Sequence, residues 1–235
     1  MQASTHPWGR LLLANSILLA LNLVLLVFSA FVPESFRVEF TKLLLTGIFL
    51  TSIYVIGSYS PRLISAVLLL VALQWLARAV AWDRLAFATA ALNSLYILYL
   101  VVRMVMQFAS SRRVTAHTLL IAVNGYLLIG LIYAIYAMLV TRFFPESFYV
   151  PLEDDFLSGS TALHTFVYYA FINMSTVGFG DIIPVTEAGR ALAILLAVTG
   201  PLYIATVIAF LVGKFTSNFS SVQSDNASAP ALDSQ

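Results

Sequence analysis

Cysteine is absent from this chain of 235 residues, which excludes disulfides, thiolate metal sites and cysteine nucleophiles. Charge is scarce as well: Asp, Glu, Lys and Arg make up 10% of the residues, against about a quarter in soluble domains. The two signs nearly cancel at a net +1, and no basic or acidic run is long enough to grip nucleic acid. Nor is there a phosphate-binding glycine loop, an HExxH helix or a carboxylate pair placed for catalysis, so neither an enzyme nor a cofactor is expected. What fills the chain instead is hydrophobic sequence, 60% of all residues. That composition belongs to an integral membrane protein.

A helix needs about 20 apolar residues to cross the hydrocarbon core. Runs of that order lie at 11–32, 43–59, 63–82, 85–102, 114–140 and 191–213, which predicts six spans. The first follows Arg10 and reads as a retained span rather than a cleaved signal peptide. Between the fifth and sixth runs a seventh apolar stretch, 162–174, is only about 20 Å long as a helix. It is too short to cross and fits a re-entrant helix. A loop at 142–160 carries prolines and the acids Glu146, Glu153, Asp154 and Asp155. After Lys214 the chain turns small and polar, and residues 215–235 are expected to be disordered. Basic residues do not decide the orientation: Arg10, Arg62, Arg103, Arg112, Arg113 and Lys214 face one side, and Arg37, Lys42, Arg78, Arg84, Arg142 and Arg190 the other.

The short apolar helix leads into "NMSTVGFGDIIP" at 173–184. Non-helical backbone at membrane depth is tolerated only where protein buries it or water lines it. Gly178 and Gly180 are poor helix formers, and as glycines they accept positive φ without a Cβ clash. Backbone that alternates in hand can turn successive carbonyls the same way. Four copies around an axis would then replace a cation's hydration shell with rings of oxygens. One strand cannot surround an ion, so a single such segment per chain predicts a homotetramer.

Thr176-Val177-Gly178-Phe179-Gly180-Asp181 resembles the TVGYG carbonyl filter of potassium channels, with Phe179 in place of tyrosine. The chain is similar to potassium channels of the six-transmembrane, one-pore-loop kind, prokaryotic members included. The likeness is strong over 114–214 and rests on helix count before that. It implies an all-α membrane protein with a re-entrant pore helix and a tetrameric pore. A four-helix unit at 1–109, lacking gating arginines, would precede a pore unit at 114–214 and a cytoplasmic tail at 215–235. By the same resemblance potassium would bind at Thr176, Val177, Gly178 and Phe179, with Gly180 completing the filter. Asp181, Tyr168, Tyr169 and Ser175 would support it from behind. Gly200, beside Pro201, stands where such channels often have an inner-helix hinge, and Ile204 and Ile208 share its helical face as candidate gate or cavity lining. The resemblance also places the protein in the plasma membrane (the inner membrane of a bacterium), multi-pass, with both termini cytoplasmic. Its partners would be itself, membrane lipids and potassium ions, and no nucleic acid.

Two departures stand out: Phe179 lacks the tyrosine hydroxyl, and Ile172 stands where some relatives have a buried glutamate. Blander readings stay open beside these. Gly200 serves close helix packing as readily as a hinge, and the outer acids serve a solvated turret as readily as a cation trap. The fourth apolar run is uncharged until Arg103, so steep voltage gating is not expected. The alternatives to a potassium-selective channel are a weakly selective cation pore and a non-conducting subunit or scaffold.

Overall fold

The structure, a computed structural model, describes residues 7–56, 61–80, 83–111, 114–151 and 160–227. Proline opens two helices, at the position where its missing N–H leaves no bond unmade: α1 (Pro7–Leu26) and α3 (Pro61–Ala79). A 3₁₀ turn, Phe28–Phe31, leads from α1 toward α2 (Glu34–Ile56), and α4 spans Asp83–Ser110. Thr115 caps α5 (Ala116–Phe143): its extended backbone (φ −130°) lets Oγ1 accept the Thr118 N–H at 3.3 Å. The remaining elements are β1 (Phe148–Tyr149), α6 (Ser160–Met174), β2 (Ile183–Pro184) and α7 (Glu187–Ala227).

Among the described residues the fold is all-α apart from that two-stranded ribbon. Helices α1, α2, α4, α5 and α7 are each long and apolar enough to cross a membrane. Six spans were expected, and among the described residues five helices meet that length: the third, 63–82, falls short, because α3 ends at Ala79, just past Arg78, and its apolar stretch is only Pro61–Ala77. Residues 81 and 82 lie outside the described residues.

Helix α5 is the hub, with α1, α4, α6 and α7 packed around it. Its seam with α1 is polar inside an apolar protein. Asn15, Asn22 and Asn124 are all buried there; Asn124 Nδ2 donates to the Asn15 carbonyl at 2.9 Å, and Asn22 Nδ2 to Asn124 Oδ1 at 3.4 Å. Contacts of this kind between membrane helices contribute about 0.6 kcal/mol each. Within the first four helices the same device recurs, as Asn93 Nδ2 on Gln74 Oε1 at 3.3 Å and the Ser52–Tyr96 hydroxyl pair.

Lys214 of α7 reaches the last turn of α4. Its Nζ donates to the Phe108 carbonyl at 2.7 Å and to Ser111 Oγ at 3.2 Å, and sits 5.2 Å and 5.4 Å from the ring centroids of Phe108 and Phe210. A cation there satisfies terminal carbonyls and complements the negative end of the α4 dipole.

One expectation needs correction. Helix α7 does not stop near Lys214 but runs on to Ala227, through most of the tail expected to be disordered. The apolar part has already supplied the helix nucleus, so each added residue costs only propagation. The next proline is Pro230, three residues past the helix end. Residues 228–235 lie outside the described residues.

Candidate functional site

Helix α6 has 15 residues, starting two earlier than the sequence suggests, and at about 22 Å it is still too short to cross. Its C-terminus feeds directly into the glycine segment. The join is made by backbone: the Ile172 carbonyl accepts from the Val177 N–H at 3.1 Å, the Gly178 N–H at 3.2 Å and Ser175 Oγ at 3.1 Å. Thr176 N–H bonds the Asn173 carbonyl at 3.0 Å, and Ser175 N–H the Phe171 carbonyl at 2.9 Å. Ile172 therefore anchors the segment through its carbonyl, whatever its side chain lacks. Side-chain motif matching gives no hint of this.

Beyond that join the backbone alternates in hand. Thr176 (φ 63°), Gly178 (φ 53°) and Gly180 (φ 75°) are left-handed, whereas Val177 and Phe179 between them are not. Both glycines are needed for φ alone, since a Cβ at either would meet nothing within 4 Å. Thr176 adopts the same conformation with a branched side chain, an outlier of the kind that clusters at functional sites. Among the described residues, no hydrogen bond ends on the carbonyl oxygens of Thr176, Val177, Gly178 or Phe179. Four successive carbonyls without a protein donor can serve a dehydrated cation. The negative end of the α6 dipole faces the base of the same segment.

Past Gly180 the chain is pinned from two sides. Tyr168 Oη donates to Asp181 Oδ2 at 2.6 Å, and the Ile182 N–H to Asp181 Oδ1 at 3.0 Å. The Tyr168 hydrogen bond, aided by backbone N–H groups and opposed by burial, holds the Asp181 carboxyl below the usual carboxylate range. Tyr169, paired with Tyr168 in the sequence reading, goes elsewhere. It is buried edge-on against Phe148, ring centroids 5.2 Å apart, and its hydroxyl finds no partner among the described residues. Tyr169, Phe179 and Asp181 do meet at a cleft of about 380 Å³ between α6, the glycine segment and α7. Phe179 itself is largely exposed.

The exit strand is tied to the loop after α5. Tyr149 pairs with Ile183 and Phe148 with Pro184 in the antiparallel ribbon, and Val185 N–H bonds the Ser147 carbonyl at 2.9 Å. Thr186 then caps α7, its Oγ1 accepting the Gly189 N–H at 3.2 Å. Of the outer acids, Glu146 occupies a turn with φ 65°, and Glu153, Asp154 and Asp155 lie outside the described residues.

Gly200 of α7 is packed, not free. It abuts the backbone of Met174, the last residue of α6, with no room for a Cβ. Pro201 lies inside the continuous helix, and the preceding Thr199 hydroxyl bonds Tyr133 of α5 at 2.8 Å. Ile204 and Ile208 share an apolar cleft of about 280 Å³ with Tyr126 of α5 and Tyr203 of α7, and both isoleucines are exposed.

Comparison with known proteins falls on this half of the chain. The ion channel family matches residues 125–217. A Shaker-related potassium channel, tsha2, of Oncorhynchus mykiss is 30% identical over 86 residues, 37% of this chain and 18% of its own. The delayed-rectifier potassium channel regulatory subunit KCNS3 of Homo sapiens is 38% identical over 64 residues, 27% of this chain and 13% of its own. The matches thus span less than a fifth of the length of these curated relatives. No solved structure matches. Residues 125–217, which carry most of α5, then α6, the glycine segment and most of α7, are thus similar to the ion channel family and, among the relatives matched, to potassium channel proteins.

Proposed function

We propose that this protein is a potassium-selective channel that conducts passively, as a homotetramer in which each chain contributes one strand of the filter. The observation that carries this reading is the alternating backbone of Thr176 to Gly180 with its unengaged carbonyls. In four copies around an axis, such backbone offers stacked oxygen rings to a bare cation. Thr176, Val177, Gly178 and Phe179 bind the ions. Gly180 ends the run, and Ser175, Tyr168, Tyr169 and Asp181 support it. Tyr168 acts through Asp181, Ser175 through the Ile172 carbonyl.

Residues 114–214 form the pore unit, and residues 1–109 a four-helix unit attached to it through α1 and α4. The protein is a multi-pass membrane protein of the plasma membrane, with the filter opening outward and both termini in the cytoplasm. Voltage dependence is shallow: Arg103 crossing the whole field in four subunits would supply about 9 kcal/mol per 100 mV, far below a strong sensor. Ile204 and Ile208 are well placed to line the cavity below the filter, in keeping with their exposure. Gating resides in the filter or in that apolar stretch.

One observation favours a second reading. KCNS3 is named a regulatory subunit, and a non-conducting subunit would keep the same helices. The two readings separate on potassium efflux from liposomes holding this protein alone. Efflux that Gly178→Ala abolishes supports the channel; no efflux under varied voltage, pH and tension supports the subunit.

A further inference from the structure

Helices α1 and α2 part at the end that carries Arg10, leaving a cleft of about 320 Å³ far from the glycine segment. Its chemistry changes along its length. By position along the helices, Arg10 of α1 and Tyr54 of α2 stand at the surface end, and Leu13, Ile17, Leu50 and Thr51 line the cleft further in. Arg10 to Ile17 is seven residues, about 10 Å of helix running from the membrane surface inward. Deeper still the helices close: Leu21 lies on Gly47, where a Cβ would meet Leu21 Cδ1 at 3.3 Å. The cleft is therefore a blind slot, cationic at its surface end and mainly apolar further in.

We infer that this slot binds one anionic phospholipid per chain, its phosphate at Arg10 and the upper part of an acyl chain between α1 and α2. The polarity gradient matches an amphiphile held parallel to the helices, and Arg10 supplies the charge complementarity that selects an anionic headgroup. A second copy of the chain fits poorly. A 10 Å length of helix about 10 Å across displaces roughly 800 Å³, well beyond the 320 Å³ of the slot. A guanidinium has the forked N–H geometry that suits phosphate oxygens, and Arg10 lines the slot together with Tyr54 and Thr51. Because α1 is also fastened to α5 through Asn15, Asn22 and Asn124, a lipid here would press on the helix that abuts the pore unit.

The test uses the full-length protein in micelles with equimolar phosphatidylglycerol and phosphatidylcholine, and counts retained lipids by native mass spectrometry. The wild type should retain phosphatidylglycerol in preference. Arg10→Gln should lower the glycerol-to-choline ratio about fivefold, the weight of one basic contact at a membrane surface. Arg62→Gln, a change at another exposed arginine, should leave the ratio alone. Ile17→Trp, which fills the slot, should lose the preferred lipid while Arg10 remains. Equal retention of the two lipids, an unchanged ratio in Arg10→Gln, or an equal fall in Arg62→Gln would each overturn the site. So would disulfide-linked dimers through Leu13→Cys, which in a cysteine-free chain can only mean that another copy lies over the slot.

Discussion

Gly200 of α7 lies flat against Met174, the residue that ends α6: a Cβ on Gly200 would fall 2.4 Å from the Met174 carbonyl oxygen and 2.8 Å from its Cα. The inner helix thus touches the base of the candidate filter backbone to backbone. Alanine at a helix-interior glycine ordinarily stabilises by about 1 kcal/mol. At Gly200 the sign should reverse, with a loss of about 1–3 kcal/mol from overpacking. Gly213, with nothing within 4 Å of its Cβ position, is the control and should gain stability as alanine. Thermal unfolding of the purified variants decides it. A Gly200→Ala protein stabilised like Gly213→Ala would contradict the close packing and restore the free-hinge reading.

Gly178 presents the opposite case. Its Cβ position is open, so only φ 53° forbids a side chain. Gly178→Ala costs about 1–2 kcal/mol of backbone strain, or else the segment changes hand locally and loses a carbonyl from the row. Overall stability should fall little, whereas potassium flux should be lost or lose its preference over sodium. Unchanged selective flux would sink the assignment of this segment as the filter.

The Tyr168–Asp181 bond sets a pH limit. Because the folded carboxyl is held below its ordinary value, the support it gives is complete above that ordinary value. The support is lost only as pH falls through the depressed one. Tyr168→Phe removes the leading cause, so Asp181 should protonate nearer the ordinary carboxylate range. The external-pH midpoint for loss of current should move upward in Tyr168→Phe. An unmoved midpoint would mean that another group controls the acid response.

Lys214 ties α7 to α4 through the Phe108 carbonyl and two aromatic rings. Lys214→Met keeps the aliphatic stem but removes the charged donor, leaving Ser111 as the donor to the Phe108 carbonyl. Hydrogen bonds to charged groups contribute about 1.5–3 kcal/mol. Faster amide exchange is expected in the last turn of α4, with α1 and α2 unaffected. Exchange unchanged at 107–110 would show that Ser111 and solvent cap that terminus equally well.

Much of this could be read from the sequence because both signals are strong in themselves. Apolar runs near 20 residues mark membrane helices, and glycines at alternate positions mark backbone that leaves the helix. What escaped depends on tertiary contact. Nothing in the sequence distinguishes Gly200 as a packing point, because the partner is the backbone of Met174, 26 residues away. The Ile172 carbonyl was missed for the same reason: every residue has one, and only the fold shows which one accepts three donors. Tyr168 and Tyr169 look equivalent in sequence, yet helical geometry turns one to Asp181 and the other to Phe148. The extension of α7 to Ala227 was missed because composition reports packing potential and not the continuation of a helix already begun.

Arg103→Gln should leave any conductance–voltage relation nearly where it was, since α4 offers no other charge between Arg84 and its end at Ser110. A shift of many tens of millivolts would show that α4 does sense the field.

The central claim, a potassium-selective pore built on Thr176 to Gly180, meets its most direct test in one measurement. The purified protein is placed in a planar bilayer with potassium on one side and sodium on the other, and the reversal potential is read. The account predicts a reversal displaced far toward the potassium equilibrium potential, and its loss in Gly178→Ala. A reversal near zero with current flowing would contradict it.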